Sequence, residues 1–93
     1  MSTVPGQVTV WIPSLLRDLT GGREKVEVAG ATVRQVIAAL DQLFPGIKDR
    51  LCDANALRPS IAVAVDSQVA TLGLLQPVRA GSEVHFVAAI SGG

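Results

Sequence analysis

Apolar and polar residues alternate from Gln7 to Pro13, with Val8, Val10 and Ile12 on one side and Thr9 and Trp11 on the other. A period of two predicts a half-buried strand, which Pro13 ends. Leu15, Leu16 and Leu19 follow, and Thr20-Gly21-Gly22 signals a turn. Glu24 to Ala29 predicts a second strand with Val26 and Val28 inward, so the two runs form a hairpin with a long connection. After Gly30 the period changes. Val33, Val36, Ile37, Leu40, Leu43 and Phe44 recur at helical spacing, while Arg34, Gln35, Asp41 and Gln42 fall on the other side. Thr32 and Gln35 match a capping box that starts this helix, and Pro45-Gly46 stops it.

Ile47 to Leu51 predicts a short second helix that dissolves into a loop at Asp53-Ala54-Asn55. Ile61 to Val65 is apolar and rich in β-branched residues, and it lies between Pro59-Ser60 and Asp66-Ser67-Gln68. That combination predicts a strand followed by a turn. Val69 to Thr71 predicts a brief edge strand, and Leu72 to Val78, with Gly73 and Pro77, an irregular stretch. Ala80-Gly81 turns into a last strand, Glu83 to Ala89, with Val84, Phe86 and Ala88 on one parity and His85, Val87 and Ala89 on the other. Strands on both sides of one principal helix, without a repeated βαβ unit, predict an α+β roll with a mixed sheet packed on that helix. A last strand lying parallel to the first, between neighbours, makes it a ubiquitin-like β-grasp. The length of 93 residues predicts a single domain over residues 1–93, with residues 91–93 as a Gly-Gly tail.

Composition narrows the chemistry. Eight Lys and Arg balance eight Asp and Glu, so no basic field gathers phosphates and no acidic field gathers cations. Trp11, Phe44 and Phe86 are the whole aromatic complement, too few for a base-stacking platform, so no nucleic acid partner is expected. No apolar run approaches the roughly 18 residues of a membrane span, and the first residues lack the pattern of a secretory signal. With one cysteine, Cys52, neither an intrachain disulfide nor a thiolate metal cluster can form. A cytoplasmic protein without a membrane partner is the expectation.

Familiar active-site patterns are missing from the side chains. His85 has no second His or Cys nearby, so it reads as structural rather than as a metal ligand or general base. Cys52 reads as a small buried hydrophobe, because no histidine lies near it in sequence to activate the thiol. Ser14, Ser60 and Ser67 lack the glycines of a nucleophile elbow, and Gly21-Gly22 lacks the rest of a phosphate loop. What remains is Ser91-Gly92-Gly93. Two residues without Cβ make a thin lead that can thread a narrow channel and present the Gly93 carboxylate to a partner's nucleotide. Another protein would convert that carboxylate to an acyl adenylate with ATP. Sulfide or a persulfide would then displace AMP and leave a nucleophilic thiocarboxylate.

Val8-Thr9-Val10-Trp11-Ile12-Pro13 with Leu16-Arg17, the helix from Thr32-Val33 to Leu40, and Gly81 to Gly93 resemble the prokaryotic ubiquitin-like sulfur carriers, the MoaD/ThiS-like family. In length and in Leu19-Thr20-Gly21-Gly22 the chain is most similar to the CysO-type carriers of cysteine biosynthesis, although many relatives have proline where this chain has Ala88. The resemblance implies a carrier and co-substrate rather than an enzyme, with no bound cofactor and no metal. An E1-like, MoeB-type enzyme would adenylate Gly93, and a sulfur-accepting enzyme would take the sulfur. For the CysO type that acceptor is a PLP-dependent cysteine synthase, followed by a zinc-dependent peptidase, so PLP and zinc belong to partners. The small subunit of molybdopterin synthase, carriers for thiamin or sulfur-containing natural products, and a ubiquitin-like modifier remain alternatives. By parity, pairing of the first and last strands would gather Trp11, His85 and Val87 on the open sheet face, and these residues with Ile90 form the expected partner-binding set.

Overall fold

The computed structural model describes residues 7–54 and 56–88. The alternating run forms β1 (Gln7–Trp11), which ends two residues before Pro13; Ile12 still donates its N–H to the Glu24 carbonyl at 2.8 Å. A 3-10 turn at Ser14–Leu16 and a loop through Gly21 and Gly22, at φ +68° and +88°, lead to β2 (Lys25–Ala29). Positive φ at both positions is cheap only without a Cβ, which is why Gly-Gly stands there. β1 and β2 pair antiparallel from Gln7 opposite Ala29 to Trp11 opposite Lys25, with Val26 and Val28 buried as the alternation requires.

α1 (Val33–Leu43) starts where the cap predicts: Thr32 Oγ1 accepts the Gln35 N–H at 3.2 Å. The return bond differs from the expected box, because Gln35 Oε1 accepts from Ala31, one residue before the cap. Val33, Val36, Ile37 and Leu40 are buried, whereas Leu43 is 57% exposed; the apolar stripe runs off the sheet in the last turn. Gly30 permits the close approach of helix and chain, since a Cβ there would lie 3.0 Å from both the amide nitrogen and a methyl of Val36.

α2 (Ile47–Leu51) passes directly into β3 (Cys52–Asp53), which pairs with β4 (Ala56–Leu57) in a two-stranded hairpin where the sequence pattern predicts only a loop. β5 (Ile61–Val65) turns at Asp66 and Ser67, both at positive φ, into the edge strand β6 (Gln68–Val69). The stretch from Leu72 to Val78 is pinned rather than loose. It holds a 3-10 turn at Gly73–Leu75, the Gln76 carbonyl accepts the first helical N–H, that of Val33, and Val78 donates to Ala31. β7 (Glu83–Ala88) closes the fold; Ala89, placed in this strand by the pattern, lies outside the described residues.

The five-stranded sheet has the order β2-β1-β7-β5-β6, with β1 and β7 parallel and the other pairs antiparallel. This is the α+β roll that the pattern predicts, with the first and last strands central. Val8, Val10, Val63, Val84 and Phe86 face the core, where they join Ile12, Leu16, the α1 stripe and Ile47 and Leu51 of α2. Burial of such side chains contributes about 1.5–3 kcal/mol each before entropy is counted, so one parity of each strand sets the stability of the sheet. The other parity is left free.

Candidate functional site

The open face is organised by register. Trp11 stands opposite Lys25 on one side and His85 on the other, His85 opposite Ala64, and Ala64 opposite Val69, so one rung crosses all five strands. Val87, opposite Ala62, extends it toward the end of β7 and is 45% exposed. The Trp11 and His85 rings stack, with centroids 5.5 Å apart and planes 4° from parallel. Trp11 Nε1–H donates to Glu83 Oε1 at 3.0 Å, and Lys25 Nζ stands 5.6 Å from the centroid of the indole.

Trp11, His85 and Val87 are thus brought together as parity predicts, and Trp11 packs against neighbouring strands rather than a loop. Ile90, Ser91, Gly92 and Gly93 lie outside the described residues. Glu83 and Lys25 were missed by sequence reasoning. Glu83 shares the parity of His85, but a strand-to-strand register was needed to set either residue beside the indole.

A groove of about 380 Å³ borders this patch, lined by Trp11, Pro13, Ser14, Arg17, His85 and Val87 among others. Arg17 is fixed in its wall: Nε donates to the Ile12 carbonyl at 3.2 Å and Nη1 lies 3.6 Å from Glu24 Oε1. Because β1 and β7 run parallel, the groove opens at the end of β7, the end from which the sequence continues to Gly-Gly.

A wider cleft of about 580 Å³ lies at the start of β7, lined by Asp66, Gln68, Arg79 and Ser82 among others. Its polar groups complete the turn: Asp66 accepts from Ser82 Oγ at 3.0 Å and from the Glu83 N–H at 2.9 Å. These bonds, the backbone one first, hold its carboxyl below the usual carboxylate range.

Cys52 is buried where α2 meets β3, and burial pushes its thiol up despite Lys48 and Arg58 nearby. A thiol kept protonated is a weak nucleophile. Among the described residues no group of three or more His, Cys, Asp or Glu could hold a metal ion, and no helix is long and apolar enough to cross a membrane.

The model of the ThiS family matches residues 10–93. Sulfur carrier protein CysO of Mycobacterium tuberculosis is 33% identical over 91 residues, which cover 92% of this chain and 98% of its own. Among solved structures, a chain in the Amycolatopsis orientalis BexX/CysO complex superimposes with a TM-score of 0.84 at 37% identity, over 92% of this chain and 99% of that one. Mycobacterium tuberculosis CysO follows with a TM-score of 0.83 at 32% identity, over 89% and 99% of the two chains.

Proposed function

The chain belongs to the ThiS family, and from that premise we propose that it is a sulfur carrier protein, a co-substrate rather than an enzyme, whose Gly93 carboxylate is the working group. The observation that carries this reading is the match to a sulfur carrier protein over 92% of this chain, together with a family match that runs through Gly93. Attack of the carboxylate on the α-phosphorus of ATP releases pyrophosphate and leaves a glycyl adenylate. Sulfide then adds to the acyl carbon and expels AMP, and the product is a thiocarboxylate. ATP is consumed by the activating enzyme, an E1-like protein of the MoeB type. Nothing in the carrier need bind it. Gly92 and Ser91 lead the reacting residue into that enzyme's active site, and Trp11, His85, Val87 and Ile90 form the docking side.

The resemblance to CysO supports a cysteine-forming acceptor in the cytoplasm. In that route the thiocarboxylate sulfur adds to an aminoacrylate held by a PLP-dependent synthase, an S-to-N acyl shift follows, and a zinc-dependent peptidase frees cysteine and restores Gly93. That a related chain crystallises with BexX supports recognition of this fold by a second protein.

Intact mass after incubation with an adenylating enzyme, ATP and sulfide tests the reading. The expected result is the gain of one oxygen-to-sulfur exchange, abolished by deletion of Gly93. A chain that stays unmodified while a known carrier is converted by the same enzyme refutes it, and isopeptide adducts on cellular lysines would favour a modifier instead.

A further inference from the structure

The indole of Trp11 is held on several sides by groups that the sulfur chemistry does not use. Lys25 on β2 and His85 on β7 are its register neighbours, so they flank the ring from the two adjacent strands. Glu83 stands opposite Thr9, one rung earlier on the same face, and its Oε1 takes the Nε1–H at 3.0 Å. That N–H is the one hydrogen-bond donor an indole has. Within the protein it is already satisfied, so what the ring offers outward is an apolar edge beside Val87, which is 45% exposed. A free tryptophan on a sheet surface samples several rotamers, and ordering it at the moment of contact weakens binding; fixing it beforehand removes that loss.

We propose that Glu83 is a positioning residue for partner docking: its bond to Trp11 Nε1 fixes the indole in the plane of the His85 stack and leaves the partner an apolar edge to seat. The partner's seat for Trp11 is therefore an apolar slot that needs no acceptor for the indole N–H. This inference rests on the reading of the chain as a carrier engaged by an adenylating enzyme. The side chain of Glu83 is exposed and its backbone N–H bonds Asp66 independently, so replacing it leaves the fold in place.

The experiment follows thiocarboxylate formation by intact mass against carrier concentration, for the full chain and for Glu83→Ala, Glu83→Gln, Trp11→Phe and Trp11→Ala. Loss of one hydrogen bond corresponds to about a 3- to 10-fold change, so Glu83→Ala is expected to raise KM by that factor with kcat unchanged. Glu83→Gln keeps an acceptor oxygen and is expected within about twofold of the natural chain. Trp11→Phe keeps the apolar ring and is expected to resemble Glu83→Ala. The indole N–H proton resonance, which needs no enzyme, is expected to move in Glu83→Ala and to stay near its place in Glu83→Gln. An unchanged KM in Glu83→Ala, a fall in kcat in its place, or a Trp11→Phe variant as impaired as Trp11→Ala overturns the inference while the carrier reading stands. If the natural chain itself gains no sulfur, the carrier reading fails and the inference falls with it.

Discussion

The two faces of one sheet differ although their residues alternate along the same strands. On the core side Val8, Val10, Val63, Val84 and Phe86 are at most 2% exposed. One residue along, Trp11 and His85 are half-buried, and Lys25, Glu83 and Val87 are exposed. The inner face is held by shape and by removal of apolar surface from water, which has no preferred direction. The outer face is held by oriented contacts: a ring stack, an indole hydrogen bond and an ammonium near a ring. Such contacts are individually weak, so they can set the shape of a surface without being needed for folding. The comparison teaches that stability and recognition are separable here, by parity.

That separation can be broken most forcefully from inside. Phe86→Ala is expected to cost about 3–5 kcal/mol, a large part of the 5–15 kcal/mol available to a domain; urea unfolding measures it. A loss below about 1 kcal/mol would mean that the core side is not what holds the sheet. Trp11→Ala, on the outward parity, is expected to weaken binding to the activating enzyme by roughly 30-fold or more, as loss of an aromatic anchor does, with its urea midpoint close to that of the natural chain. Unchanged affinity in a titration refutes the docking role.

Two smaller tests sharpen the contrast away from the patch. Cys52→Ala is expected to cost about 1 kcal/mol by loss of buried volume and to leave thiocarboxylate formation intact. In the folded natural chain the thiol is expected to react slowly with iodoacetamide at neutral pH and readily after unfolding, because burial raises its pKa. Asp66 gives the smallest effect. Its folded pKa lies below the ordinary value of 3.8, so its stabilisation is present above that value and is lost as pH falls through the folded pKa. Because the carboxylate is exposed, the contribution is expected below about 1 kcal/mol. Asp66→Asn should flatten the acid end of a stability-against-pH curve, and an unaltered curve would show that the turn does not need the charge.

Most of the fold is legible in the chain because its signals are local. A period of two marks β1, β2 and β7, an apolar β-branched run marks β5, the Thr32 cap and Pro45-Gly46 bound the helix, and Gly21-Gly22 marks a turn at positive φ. The β3–β4 hairpin was not legible, since two-residue strands carry no period. Nor was the docking of Gln76 to Val78 on the helix start, which satisfies backbone groups that no nearby side chain reaches. Leu43 fits the helical stripe yet points to solvent, because the stripe outruns the surface it covers.

For the open face, parity along each strand was enough to group Trp11 with His85 and Val87, since side chains alternate by geometry alone. Which residues touch the indole was decided only when β1 and β7 paired in parallel with Trp11 opposite His85. Sliding β7 by two residues so that Val87 stood opposite Trp11 would preserve every inward and outward assignment yet move Glu83 and His85 away from the ring. Local alternation therefore determined the faces, and the long-range register, fixed by packing of the core side, decided the contacts.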